Sequence, residues 1–195
     1  MSDEQTLIRD AQRGDHDAFR QLVEYARVNV YRLAYDLTSD RHYAEDLSQE
    51  VFVKAYRALG TFRGDAKWNS WLYRITVNAF YDFAKSGMNK TIRYSDNRDQ
   101  DSEENEIMKQ GNSISPDASA EASIIQQDIE KALNRLSPRE RSVFVLRHYH
   151  DLSLKQIAGT LEISDGTVKT LLFRAIRKLQ QVLAFYRNDV DIKRI

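Results

Sequence analysis

Wherever the apolar positions of this chain are regular they recur at intervals of three and four residues, which predicts helices rather than strands. Between Asp40 and Leu59, Ala44, Leu47, Val51, Ala55 and Leu59 form one stripe, Glu45, Asp46, Gln49 and Glu50 share the opposite side, and Gly60 ends the run. A loop, Thr61 to Lys67, precedes a second helix from Trp68 to about Ser86 with the core stripe Trp68, Trp71, Leu72, Ile75, Ala79 and Phe83. Start signals then dominate the C-terminal part. Ser137-Pro138-Arg139-Glu140 combines an N-cap hydroxyl, proline at the first helical position and glutamate at the third. Ser153-Leu154-Lys155-Gln156 repeats the cap and opens a short helix with Leu154, Ile157, Ala158 and Leu161 on one face. A third start at Ser164, with Asp165 in the first turn, opens a long amphipathic helix through Val168, Leu171, Leu172, Ala175, Ile176, Leu179, Val182 and Leu183. A short helix, a tight turn and a longer helix describe a helix-turn-helix. The same pattern also fits a helical hairpin with no role on DNA.

Composition places these elements in an all-α protein of two small helical domains. The 195 residues include only seven glycines and two prolines, 30% of the side chains are charged, and no apolar run approaches the length of a membrane span. The absence of cysteine excludes disulfides, thiolate zinc sites and cysteine nucleophiles. The polar, acidic opening Met1-Ser2-Asp3-Glu4-Gln5 is unlike a secretory signal, so a cytoplasmic location without direct membrane insertion is expected. The formal charge of zero conceals three unequal parts: residues 1–93 carry +1, residues 94–120 carry −5 and residues 121–195 carry +4. The stretch Tyr94 to Glu106 holds too few apolar groups to offset the entropy of ordering it. The expected organisation is a domain at 1–93, a flexible acidic linker at 94–116 and a second domain at 117–195.

Three sets of side chains offer chemistry. Off the apolar stripe of the last helix lie Lys169, Thr170, Phe173, Arg174, Arg177 and Lys178, which can meet phosphates, guanine edges or a thymine methyl, and Arg147 on the preceding helix is a further phosphate contact. Seven of the chain's aromatic residues crowd between Phe62 and Phe83, among them both tryptophans, interleaved with Arg63, Lys67, Asn69, Arg74, Asn78 and Lys85. Several must be core, but aromatic faces among cations also suit unstacked bases. The carboxylates Glu45, Asp46 and Glu50 lack a histidine at ligand spacing, so a solvated face or a basic partner is the simpler reading. Phe52 beside them fits either an interface anchor or the core. No metalloprotease, phosphate-loop, hydrolase or dinucleotide fingerprint is present, and His148 and His150, two apart on an expected helix, diverge. No cofactor and no metal is expected.

The strings Ala44-Glu45-Asp46-Leu47-Ser48-Gln49-Glu50-Val51-Phe52, Ala55-Tyr56-Arg57-Ala58-Leu59, Phe62-Arg63-Gly64, Trp71-Leu72-Tyr73-Arg74-Ile75-Thr76-Val77-Asn78 and Gly166-Thr167-Val168-Lys169-Thr170 resemble bacterial sigma factors of the extracytoplasmic-function group, which keep only the second and fourth sigma domains. The strings occur in the family's order across nearly the whole chain outside the linker. The resemblance implies a transcription-initiation factor, not an enzyme, that binds core RNA polymerase and promoter DNA, both duplex and single-stranded, and is held by an anti-sigma factor. It assigns Asp46, Leu47, Gln49, Glu50 and Phe52 to core polymerase. Phe62, Arg63, Lys67, Trp71, Tyr73, Arg74 and Asn78 fall to the minus-ten element and its melting. Arg147, Lys169, Thr170, Phe173, Arg174, Arg177 and Lys178 fall to the minus-35 element. Glu162 departs from the family's small turn residue, and Leu171 stands where an arginine is common. Two other readings stay open: a one-component helix-turn-helix regulator whose first domain dimerises or binds an effector, and a metal-dependent carboxylate site around Glu45, Asp46 and Glu50.

Overall fold

The computed structural model describes residues 3–64, 66–86, 116–184 and 186. The expected linker lies outside these, apart from its last residue. All regular structure among them is helical.

α1 (Asp3–Gln12) buries Ile8 and Ala11, and Gly14, at φ 98°, turns the chain into α2 (His16–Thr38). Asp15 caps α2 by accepting from the amides of Asp17 and Ala18. Leu22, Ala26, Val30, Leu33, Ala34 and Leu37 then line its inner face with no exposed surface. At the other end Ser39 adopts a left-handed conformation (φ 53°) and its amide closes on the carbonyl of Tyr35. Asp40 immediately caps α3 (Arg41–Ala58), so two adjacent residues end one helix and start the next. α3 packs back along α2 through Ala44, Leu47, Val51 and Ala55, four members of the expected stripe.

Gly60 does not stop the helix abruptly, because the chain continues through a 3-10 turn over Leu59–Thr61. α4 (Trp68–Lys85) follows. Its core face differs from the expected stripe: Thr76, Val77 and Phe80 are buried along with Trp68, Trp71, Leu72 and Ala79, while Ile75 and Phe83 are only half-buried. α4 meets elements on more than one side, so a single narrow stripe underestimates its buried arc.

In the second half, α5 (Pro116–Leu133), α6 (Pro138–His148), α7 (Leu154–Leu161) and α8 (Asp165–Val182) build a smaller unit around α8. Both expected capping boxes are formed: Ser137 with Glu140 at the start of α6, and Ser153 with Gln156 at the start of α7. Ser164 caps α8 by accepting from the amide of Thr167. Leu133, Leu136 and Ala175 form a small separate cluster. The main core is continuous between the halves, with Val143, Leu146, Ile157 and Val168 joined to the residues of α2 to α4.

Candidate functional site

The exposed carboxylates of α3 arise from its register. With Ala44, Leu47 and Val51 turned inward, Glu45, Asp46, Gln49 and Glu50 are forced outward. Lys54 donates to Glu50 at 2.8 Å and to Asp82 at 3.3 Å. Its pKa is raised, chiefly by the hydrogen bond to Glu50. Val53 is exposed beside them and Phe52 is half-buried. Leu47 departs from its assignment to a partner surface. It is 3% exposed, one turn from both Ala44 and Val51 on the inner face, and so supports the carboxylate face from beneath.

The loop before α4 is fixed from a distance. Gln12 of α1 donates its side-chain amide to the carbonyl of Leu59 at 3.0 Å and to that of Phe62 at 2.7 Å. Phe62 turns inward, where its ring lies 5.6 Å from that of Trp68 and 5.1 Å from that of Trp71. These three aromatics therefore make the floor of the loop rather than an open stacking surface. The buried indole N–H of Trp68 has no hydrogen-bond partner, in keeping with so apolar a nest. Arg63 and Lys67 remain exposed above it, and Lys67, at the N-cap of α4, makes no side-chain cap. The amide dipoles of that helix end add to a field favouring anions. Positions 67, 71, 74 and 78 follow one another along one side of α4, and Asn78 is exposed.

Two neighbouring residues of α4, Tyr73 and Arg74, reach the other half of the molecule. Arg74 forms an ion pair with Glu162. The Tyr73 hydroxyl lies 3.3 Å from Nδ1 of His150. Between the loop and α7 an open cleft of ≈ 690 Å³ is lined by Arg63, Lys67, Trp71 and Arg74 on one wall and Gln156, Gly159, Thr160 and Glu162 on the other.

α7 and α8 are joined by only Glu162, Ile163 and Ser164. Glu162 terminates α7 in the left-handed region (φ 54°), a conformation that costs side chains other than glycine. Beyond the turn Val168 is fully buried, which rotates Lys169, Thr170, Phe173, Arg174 and Arg177 to the outside. Phe173 is 66% exposed although it is a large apolar side chain flanked by cations. Lys178 is directed elsewhere: its ammonium donates to Glu140 at 2.6 Å and pins α8 to α6. Burial opposes the ionisation of Glu140, yet the hydrogen bonds from Lys178 and Ser137 outweigh it and hold its pKa below the ordinary value. Arg147 is exposed and donates to the carbonyl of Leu152, bracing the turn into α7.

The pattern of the sequence does not reveal the residues that join the two halves. Arg141 is buried and donates to the Asp36 carbonyl at 3.3 and 3.1 Å, to Ser39 Oγ at 2.7 Å and to Asn134 Oδ1 at 2.6 Å. Burial pushes its pKa down to about 10. His150 lies beyond the end of α6, in the loop, and not on the helix as expected. Its Nε2 is 3.0 Å from Asp36 Oδ2. Tyr35 donates to Glu130 at 3.3 Å. Among the described residues no group of His, Asp and Glu could hold a metal ion, and no helix is long and apolar enough to cross a membrane.

Comparison with known proteins agrees with this layout. Residues 22–88 match the family sigma-70 region 2, and residues 126–179 match sigma-70, region 4. The RNA polymerase sigma-H factor of Pseudomonas aeruginosa is 32% identical over 184 residues, spanning 92% of this chain and 93% of its own length. The ECF RNA polymerase sigma factor SigW of Bacillus subtilis is 30% identical over 178 residues, 90% of this chain and 94% of the relative. The sigma factor RpoE of Bartonella quintana, solved in complex with the anti-sigma factor NepR, superposes with a TM-score of 0.60 at 26% identity, over 85% of this chain and 96% of that one. Two sigma regions in the right order, and relatives alike over nearly their whole length, settle the family: the chain belongs to the extracytoplasmic-function (ECF) group of sigma-70-type RNA polymerase sigma factors.

Proposed function

We propose that this sigma factor divides its work between two lobes, residues 1–93 and 117–195, tied by the acidic segment 94–116. The first lobe docks on core RNA polymerase through the carboxylate face of α3, with Asp46, Gln49 and Glu50 meeting a basic surface and Phe52 anchoring beside them. Its loop and the adjoining side of α4 take the minus-ten element. Arg63, Lys67 and Arg74 contact phosphates, Asn78 meets a base edge, and Phe62, Trp71 and Tyr73 shape the wall against which an unpaired base is held. The second lobe enters the major groove at the minus-35 element with the N-terminal half of α8: Lys169, Thr170, Phe173 and Arg174 face base edges, and Arg177 and Arg147 face phosphates. Lys178 contributes by holding α8 in place. The protein performs no catalysis itself, works in the cytoplasm and is restrained by an anti-sigma partner, as the Bartonella relative is with NepR.

The observation that carries this reading is the exposed side of α8, where Phe173 stands in solvent among Lys169, Arg174 and Arg177 on the second helix of a helix-turn-helix. A hairpin serving only to pack would bury that ring. The test is transcription in vitro with purified core polymerase and a promoter library. Asp46→Ala and Glu50→Ala are expected to weaken association with core, whereas Arg174→Ala changes upstream-element choice and leaves core association intact. The same defect from both classes would refute the division of labour. Tight binding of the free chain to a palindromic site, without polymerase, would favour a one-component regulator instead.

A further inference from the structure

The match to sigma-70 region 2 begins at residue 22, and none of the surfaces described above draws on α1. Yet Gln12, the last residue of that helix, reaches the loop before α4. Ile8 and Ala11, 9% and 5% exposed, seat α1 on the main core, and Gly14 at φ 98° turns the chain away just beyond it. The carboxamide of Gln12 therefore projects from a fixed base. Its nitrogen carries two hydrogens, one for each carbonyl it meets: Leu59 at 3.0 Å and Phe62 at 2.7 Å. Both partners can only accept, so the amide nitrogen, and not its oxygen, faces them.

What the second bond controls follows from peptide geometry. The Phe62 carbonyl and the Arg63 amide share one rigid plane, so holding the carbonyl fixes the rotation of that plane about the Phe62 Cα, here at ψ 110°. The Phe62 ring is held separately, 8% exposed against Trp68 and Trp71. The far end of the loop is held by α4, where the Trp71 amide donates to the Lys67 carbonyl at 3.1 Å. Arg63 and Gly64 follow the first anchor directly, and Gly64, at φ 78° with open space about it, adds no side chain to stiffen the span. The direction in which Arg63 leaves the aromatic nest thus depends on Gln12.

We propose that Gln12 is a positioning residue for the minus-ten element: by fixing the Phe62 peptide plane it presents Arg63 and the loop after it in one orientation, and so sets how strictly that element is read. The proposal rests on the reading above that places the minus-ten element at this loop. Gln12 is itself exposed, so water replaces its bonds at little cost to the fold when they are removed. What disappears instead is the loop's single orientation. A loop free to rotate must be ordered anew on every strand it meets, correct or incorrect, and separates the two less well.

The test uses the full-length chain assembled with core polymerase, on pairs of templates that compete in one reaction. One pair differs at a single minus-ten base, chosen as the one to which the wild-type chain responds most, and the other at a single minus-35 base. A ratio of transcripts is independent of the fraction of active protein, so mere destabilisation leaves it unmoved. Gln12→Met keeps the length of the side chain and removes the donor. It is expected to lower the minus-ten ratio about five-fold while the minus-35 ratio and core association stay as in the wild type. Gln12→Glu, which sets a carboxylate against two carbonyls, is expected to lower the ratio further and gives the same readout should the methionine variant fold poorly. Gln12→Lys restores a donor on a stem of similar length and is expected to recover most of the ratio. The proposal is overturned by an unchanged minus-ten ratio in the folded variants, by equal losses at both elements, or by a loss that Gln12→Lys does not recover. A wild-type chain that gives no promoter-dependent transcript, or responds to no minus-ten base, would instead overturn the reading beneath it, before any variant is made.

Discussion

Two contact regions in this molecule differ in what they add to apolar burial: one is dry throughout, the other carries a polar network beside the shared core. Between α2, α3 and α4 the meeting surfaces are Leu22, Ala26, Val30, Leu33, Val51 and Leu72, all without exposed area. Where the first lobe meets the second, the prominent groups are a guanidinium, an imidazole, a carboxylate and tyrosine hydroxyls. Burial raises the pKa values of Tyr35, Tyr73 and Tyr149, so at neutral pH they stay protonated and able to donate. The apolar region specifies one permanent arrangement. The polar one adds a definite orientation at a boundary that the apolar core also crosses through Val143, Leu146, Ile157 and Val168.

The sharpest way to break this contrast is to truncate each region in turn. Leu33→Ala, in the dry core, is expected to cost about 2–5 kcal/mol, read from the denaturant midpoint with an unchanged slope. Arg141→Ala leaves the Asp36 carbonyl, Ser39 and Asn134 without their donor, yet its cost is expected to be smaller, about 1–3 kcal/mol, because these groups lie at the boundary between the halves, where water can replace the lost donor. Equal losses from the two variants would mean the boundary is as dry as the core.

Acid gives a third comparison, confined to the second lobe. Glu140 has a lowered pKa when folded, so its contribution is fully present above the ordinary carboxylate range and disappears as pH falls through the depressed value. Lys178→Met is expected to remove most of that pH dependence, measured as the change in unfolding midpoint between neutral and acidic buffer. The smallest effect is expected at Glu162→Gly. It relieves the left-handed strain by about 1 kcal/mol or less while deleting the partner of Arg74. The second half should therefore melt slightly higher even though its ion pair to α4 is lost.

Much of this architecture is legible in the sequence because the decisive signals are local. Ser137, Ser153 and Ser164 cap helices as their spacing indicates, and the stripe Ala44, Leu47, Val51, Ala55, Leu59 is buried throughout. The outward side of α8 follows from the burial of Val168 alone. What periodicity misses is determined by partners far along the chain. Phe80 is buried in place of Phe83 because α4 touches more than one neighbour, and Lys178 is claimed by Glu140, 38 residues away. Arg141 and Asp36 are 105 residues apart, and each looks like an ordinary charged surface residue. An arginine in the second turn after a capping box carries no mark that it will be buried. The segment expected to be a linker falls almost wholly outside the described residues, whereas the starts of α6 to α8 follow from their own caps.

Gln12 has the last consequence. Its carboxamide grips the carbonyls of Leu59 and Phe62, so the shape of the loop before α4 depends on a residue 47 positions upstream of Leu59. Anyone transplanting this loop into a sibling scaffold must move the splint with it. A swap confined to the loop alone would graft the letters and lose their posture.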